Sequence, residues 1–172
     1  MERLRAAIRS IPDFPHEGIL FRDITTLLKE GALFRQAVDL FATRYVSQKV
    51  DAVIGIESRG FLFGSALAYQ LGCGVVPIRK KGKLPAATFS ESYQLEYGED
   101  SIEIHQDALE PGDRVVLIDD LLATGGTMEA AVRLLKHFEN LKVLEVAFLI
   151  ELVDLNGRDK LPDVNVFSAL LY

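Results

Sequence analysis

Cysteine, histidine and net positive charge are all scarce in this 172-residue chain, and each shortage removes a class of function. The one cysteine, Cys73, has no partner for an intrachain disulfide. Within Leu71-Gly72-Cys73-Gly74 it reads as a small packed residue rather than a nucleophile. Three dispersed histidines beside that cysteine do not make a structural zinc site. A formal charge of −6 argues against a broad nucleic-acid-binding face, which neutralises many phosphates from a basic surface. No apolar run reaches the length of a membrane span, and Met1-Glu2-Arg3-Leu4-Arg5 opens an amphipathic pattern with no apolar signal core behind it. The expectation is a soluble, cytoplasmic protein with neither nucleic acid nor membrane as partner. Internal repeats and low-complexity linkers are also missing, so residues 1–172 are expected to form a single domain, long enough to bury a core without staples.

What the chain does have is local contrast. Arg79-Lys80-Lys81-Gly82-Lys83 concentrates positive charge on an acidic protein, which suits a small polyanion as ligand, although a basic run is ordinarily a solvated loop. The most informative stretch is Val115-Val-Leu-Ile-Asp-Asp-Leu-Leu-Ala-Thr-Gly-Gly-Thr127. Val115 to Ile118 follow the turn signal Pro111-Gly112 and are too few for a helix, so they read as a strand buried on both faces, the kind found in parallel sheets. Beyond Thr127, the apolar residues Met128, Ala131, Val132 and Leu135 fall at helical spacing.

A strand, a small-residue loop and a helix in that order place unpaired N–H groups and partial positive charge where an anion binds. Gly125 and Gly126 let the backbone approach a phosphate, and Thr124 and Thr127 add hydroxyl donors. No Gly-Lys-Ser/Thr follows, which excludes the P-loop of nucleotide triphosphatases. In its place stands the pair Asp119-Asp120, which suits vicinal hydroxyls or a divalent cation. A sugar phosphate supplies the hydroxyls and the phosphate together. Neighbouring strand residues point to opposite faces, so both carboxylates reach one ligand only where the chain leaves strand geometry. One of them could instead fix the turn.

This stretch resembles the phosphoribosyl-pyrophosphate (PRPP) motif of the type I phosphoribosyltransferases. The resemblance implies that Asp119 and Asp120 contact the ribose hydroxyls, and that Ala123, Thr124, Gly125, Gly126 and Thr127 hold the 5′-phosphate. A second match is Ser10-Ile-Pro-Asp-Phe-Pro followed by Gly18-Ile-Leu-Phe-Arg-Asp-Ile-Thr25, which resembles the N-terminal hood of adenine phosphoribosyltransferases. There, Leu20 and Phe21 are expected to sandwich the base while the backbone at Arg22 reads its edge. Glu17 and Thr26 depart from the prolines frequent in that family. From composition alone, Phe14 and Phe21 read as core plugs beneath a loop.

Taken in order, residues 2 to 11 read as a short amphipathic helix, with Leu4, Ile8 and Ile11 on one side. Residues 11 to 25 read as irregular, because two prolines and a glycine interrupt them. A helix carries Phe34, Ala37, Val38, Phe41 and Tyr45. Ala52 to Ile56 form a strand ending in Glu57-Ser58-Arg59-Gly60, and a helix follows from about Phe61 to Leu71, with Gly60, Gly64 and Ala68 permitting close packing. Arg59 is expected to pair with a carboxylate, Glu57 or Asp119. The resemblance adds pyrophosphate binding by Arg59 and, after the strand Val75 to Ile78, by Arg79 and Lys83 with Lys80 nearby.

Residues 86 to 105 alternate like an exposed hairpin, and long polar excursions of this kind are often lids. Leu95-Glu96-Tyr97-Gly98 resembles the family's mobile loop, which implies a catalytic Glu96, as base or as electrostatic stabiliser, beside the loop residue Tyr97. Val143 to Ile150 and residues 163 to 171 supply two more strands, and Gly157 reads as a turn residue.

The expected fold is α/β, a mainly parallel twisted sheet flanked by helices, with a hood over about residues 1–30 and a mobile loop over about 80–105. The resemblance implies transfer of a 5-phosphoribosyl group from PRPP to adenine, giving AMP and pyrophosphate, with Mg²⁺ carried by PRPP rather than bound directly by protein, in a homodimer. Enzymes of the same fold that take hypoxanthine, guanine or xanthine need a different base-reading segment. A PRPP-sensing regulator of nucleic acid would be expected to show a basic face or an added domain, and a vestigial subunit would not be expected to keep the loop and the acidic pair.

Overall fold

A computed structural model of the chain describes residues 1–95 and 98–172; Glu96 and Tyr97 lie outside the described residues. Five of its strands run parallel. They are β3 (Ala52–Ile56), β4 (Gly74–Lys80), β7 (Arg114–Leu122), β8 (Lys142–Glu151) and β9 (Val166–Leu171). The hairpin β5 (Thr88–Leu95) and β6 (Gly98–His105) is antiparallel and joins the sheet through β6, giving the order β5-β6-β4-β3-β7-β8-β9. All residues of β3 are buried, as expected for a central strand covered on both faces.

Helices cover each face. On one side α1 (Glu2–Ala6), α2 (Thr25–Leu28), α3 (Gly31–Tyr45) and α4 (Gly60–Leu71) pack Leu4, Leu27, Phe41 and Phe63 against Val53, Val116 and Ile118. On the other, α5 (Gly126–Leu135) packs Met128, Ala131 and Leu134 against Ile54, Ile78 and Leu117. Small residues let α4 lie directly on the sheet: a Cβ at Gly60 would stand 2.7 Å from the Ile118 carbonyl oxygen, and one at Gly64 3.2 Å from the Ile118 side chain. The start of α4 is thereby pressed against the end of β7, where the two aspartates are. Buried Glu145 ties α3 to β8, accepting from both guanidinium nitrogens of Arg44 and from the Tyr45 hydroxyl at 2.7 Å.

The α/β fold, the parallel strands and the helix after the Gly-Gly pair agree with the sequence reading, but the N-terminal segment does not. The first helix stops at Ala6, and residues 9–12 and 20–23 form a two-stranded antiparallel sheet, β1 (Arg9–Pro12) and β2 (Leu20–Asp23), instead of an irregular loop. Pro12 is tolerated because it closes the ladder at a strand end, and the breakers Pro15 and Gly18 fall in the connecting loop, where Gly18 has φ +86°. Phe14 is no core plug, being half exposed; its ring meets Phe21 edge-on at 5.2 Å. Strand β7 also runs further than expected, through both aspartates to Leu122.

Candidate active site

Three crossovers bring ligand loops to the carboxyl ends of β3, β4 and β7, the edge of an open parallel sheet where ligands bind. The loop after β7 is shaped by glycine. Gly125 sits at φ +81° as the residue before α5, with no side-chain cap on that helix, so the first N–H groups of α5 open toward the loop. Asp119, Ala123, Thr124, Gly125, Gly126 and Thr127 line one small cavity there.

The loop rests on a second glycine that the sequence reading took for a turn residue only. A Cβ on Gly125 would run into the carbonyl of Gly157, and a Cβ on Gly157 would run into the carbonyl of Ala123. Gly157 itself is fixed by its neighbour Arg158, which forms a two-pronged pair with buried Glu151 at 2.6 and 2.7 Å. Nothing local in the sequence announces this contact, because it joins positions more than thirty residues apart.

The acidic pair diverges. Asp119 faces the phosphate-loop cavity, and its Oδ1 accepts the Asp120 N–H at 2.8 Å. Asp120 is 4% exposed and forms an ion pair with Arg59 at 2.9 Å. The sequence reading offered Glu57 or Asp119 as the Arg59 partner; Asp120 takes it, because Arg59 stands at the start of α4, pressed against the end of β7. Strand geometry does slip at this point. Ile118 and Leu121 pack on the same side of the sheet, three positions apart, where strict alternation would separate them. Burial pushes both carboxyls up from the ordinary aspartate range. For Asp119 the neighbouring Asp120 pushes further the same way, while Arg59 counteracts burial at Asp120.

Glu57 partners Arg79 instead, at 3.2 and 3.4 Å, and accepts the Lys80 N–H at 2.9 Å. Burial works to raise the Glu57 carboxyl, but the Lys80 N–H and the Arg79 guanidinium outweigh it and hold it low. Lys80 pairs with Asp100 at 3.1 Å, and Asp100 also accepts the Tyr93 hydroxyl at 3.2 Å. The basic loop closes on itself, Arg79 donating to the Lys83 carbonyl and the Gly82 N–H donating to buried Glu103 at 2.9 Å. Glu103, Asp100 and Tyr93 escaped the sequence reading. The hairpin that carries them is no free excursion, for Arg133 of α5 pairs with Glu91 and the Phe89 ring stacks on His137.

The hood completes the enclosure. Leu20 is half exposed, and the Arg59 guanidinium lies 5.4 Å from the centre of the Phe21 ring, so one arginine touches both the hood and the acidic pair. Leu20, Phe21, Arg22, Arg59, Asp119, Asp120 and the loop 123–127 therefore surround one edge of the sheet. Arg79, Lys80 and Lys83 flank it from β4. The expected roles of Glu96 and Tyr97 fall outside the described residues.

Residues 23–170 match the model of the phosphoribosyl transferase domain family. Over its whole length the chain is 52% identical to the full length of an adenine phosphoribosyltransferase from Trichlorobacter lovleyi. The chain belongs to the adenine phosphoribosyltransferase family. The family's enzymes are pentosyltransferases, which move the 5-phosphoribosyl group of PRPP onto adenine in purine salvage, releasing AMP and pyrophosphate. Solved structures of the family agree with the fold over almost the whole chain. The crystal structure of adenine phosphoribosyltransferase from Thermoanaerobacter pseudethanolicus superposes with a TM-score of 0.95 at 48% identity, covering 99% of each chain. The Saccharomyces cerevisiae enzyme, complexed with adenine and an imino-altritol bisphosphate, superposes with a TM-score of 0.93 at 41% identity, over 98% of this chain and 97% of that one.

Two outcomes follow from this geometry. Gly157→Ala drives a methyl group into the Ala123 carbonyl, so it should weaken PRPP binding about tenfold or more while leaving the far-edge hairpin folded; calorimetric titration with PRPP and circular dichroism check both halves. Asp119→Asn should raise the thermal midpoint of the ligand-free protein at pH 8 while weakening PRPP binding. The sign follows from linkage: a carboxyl whose folded pKa lies above its unfolded value destabilises the fold once ionised, and that penalty fades as pH falls and the proton returns. The midpoint difference between wild type and variant should therefore shrink from pH 8 toward pH 5, as thermal melts across that range would show.

Proposed function

We propose that this chain binds PRPP across the loops after β3, β4 and β7 and adenine beneath the hood, and joins them at C1 of the ribose. Ala123 to Thr127 hold the 5′-phosphate through backbone N–H groups and the two threonine hydroxyls. Asp119 and Asp120 accept hydrogen bonds from the ribose hydroxyls and oppose the positive charge that grows on the sugar. Arg59, Arg79, Lys80 and Lys83 take the pyrophosphate. Leu20 and Phe21 enclose adenine, and the backbone at Arg22 reads its edge. The observation that supports this reading is the ion pair between Arg59 and Asp120 together with the Phe21 ring 5.4 Å from the same guanidinium, since one arginine then links the residues assigned here to pyrophosphate, ribose and base.

In the reaction the bond from C1 to the pyrophosphate oxygen breaks and a bond from C1 to N9 of adenine forms. Pyrophosphate leaves with the electron pair, and the N9 proton passes to a base or to solvent. Glu96, on the resemblance of Leu95-Glu96-Tyr97-Gly98 to the family's mobile loop, takes that proton or stabilises the tautomer that attacks, with Tyr97 its neighbour in sequence. Mg²⁺ carried by PRPP would supply charge neutralisation at the departing pyrophosphate, beside Arg59, Arg79 and Lys83. The donor set suits an ion held by substrate oxygens and water, since the Asp120 carboxylate is already committed to Arg59. On the family resemblance, the chain works as a homodimer in the cytoplasm.

The test is pyrophosphate release with PRPP and Mg²⁺ against adenine, hypoxanthine, guanine and xanthine, for wild type and Glu96→Gln. Adenine alone should support turnover. The variant should lose about a hundredfold or more in kcat with an unchanged Kd for PRPP. Equal turnover by the variant removes Glu96 from the chemistry, and turnover of another base removes the hood as the reader.

A further inference from the structure

The two-stranded hood shares no hydrogen-bonded ladder with the seven-stranded sheet. A lone two-stranded sheet is marginal by itself, so its placement depends on side-chain tethers to the body. One of these is the Arg59 contact to Phe21, and Arg59 is also a ligand of pyrophosphate in the reading above, so that tether is drawn on during turnover. Another is Tyr172.

Tyr172 follows β9 and is fixed by its own backbone. Its N–H donates to the Glu151 carbonyl at 2.8 Å, and its carbonyl accepts the Val153 N–H at 2.9 Å. Its hydroxyl donates to the Arg5 carbonyl at 3.3 Å. Two guanidinium groups lie over its ring, Arg5 at 4.4 Å and Arg22 at 4.2 Å from the centroid. Two cations that close to one centre have room only on opposite faces, so the ring is clasped between α1 and β2. Alternation along β2 sends the Arg22 side chain away from Phe21, and its Nη1 donates to Ser10 on the facing strand at 2.5 Å. The buried Nε of Arg22 has no hydrogen-bond partner among the described residues, which leaves the electron-rich ring face as its acceptor. The charge of Arg22 is thus spent on a tyrosine anchored to the main sheet, at the strand whose other face meets the base.

We propose that Tyr172 is a positioning residue for adenine, bracing β2 through Arg22 so that the base slot keeps its width and its distance from the ribose site. The inference rests on the hood being the base slot. It assigns the Arg22 side chain a task separate from that of its backbone, and it leaves PRPP binding outside the influence of Tyr172, since the phosphate loop and the acidic pair are held by other contacts.

Steady-state kinetics of Tyr172→Ala, Tyr172→Leu, Tyr172→Phe and Arg22→Leu test it, with Phe21→Ala as a control on the slot itself. Tyr172→Ala, Tyr172→Leu and Arg22→Leu should each raise KM for adenine about tenfold, the scale of the one partly buried cation–π contact all three remove, while KM for PRPP stays within about twofold. Tyr172→Phe keeps the ring and should behave as wild type. An unchanged adenine KM in Tyr172→Ala overturns the proposal, as does a parallel rise in both KM values or a Tyr172→Phe enzyme as impaired as Tyr172→Ala. If Phe21→Ala leaves adenine KM unaltered, the base-slot reading fails; if Phe21→Ala raises it and the Tyr172 and Arg22 variants do not, the brace fails alone. Should Tyr172→Ala not fold, Arg22→Leu decides the same question from the other side of the contact.

Discussion

Two adjacent carboxyl groups at the end of a buried strand are the constraint on which the site depends. Burying charge beside like charge is costly, and here the cost is met in two ways: the Asp120 N–H and carboxylate are turned to Asp119 and Arg59, and both acids have their proton affinity raised. Arg59 can reach Asp120 only because α4 starts within van der Waals contact of β7, and α4 can start there only because its first residue is glycine. A side chain at position 60 would lift the helix, lengthen the ion pair and leave a carboxylate buried without its cation. The packing requirement and the binding requirement therefore fall on the same few residues.

Three of the four basic residues assigned to pyrophosphate obey a common rule. Arg59 is held by Asp120, Arg79 by Glu57 and Lys80 by Asp100. A cluster of cations preassembled without a ligand would repel itself, so the fold stores each one against an acid of its own, and this accounts for a concentrated basic run on a chain of net charge −6. An incoming polyanion must then compete with carboxylates, and a divalent cation travelling with it offers those carboxylates a substitute partner. Selectivity for a ligand that brings both signs of charge follows from that arrangement alone.

What could be read in the sequence was what local spacing decides. The strand, loop and helix around residues 115–135 are contiguous, and so are the breakers that shape them, which is why the buried strand, the glycine turn and the helix after it are legible in the sequence. Pairings across the chain were not. Prolines 12 and 15 and Gly18 look like disruption in a linear reading, yet the ladder Arg9 to Asp23 through Pro12 to Leu20 uses them as the ends and the turn of a small sheet. Arg59 was given the wrong carboxylate because strand β7 was expected to end before its aspartates, and Gly157 was read for its turn and not for the carbonyl it shelters. In each case the deciding atom belongs to a segment remote in sequence, which spacing and composition cannot supply.

The hood carries this point one step further, because its two strands and its tethers answer to different forces. The ladder between β1 and β2 is backed by Asp23, whose carboxylate accepts from Arg9 and from the N–H and hydroxyl of Thr25 and is held down to about 2 by those bonds. That stability is present above the ordinary aspartate range and is lost as pH falls through about 2. Its attachment to the body is of another kind, made by guanidinium groups over aromatic rings and by the Thr26 hydroxyl on the Ala7 carbonyl. Arginine stays charged across the whole range, so these contacts do not themselves titrate. Arg59 is nevertheless shared, paired with Asp120 and set over the Phe21 ring, so protonation of Asp120 frees the same guanidinium that tethers the hood and acts on the hood's attachment rather than on its ladder.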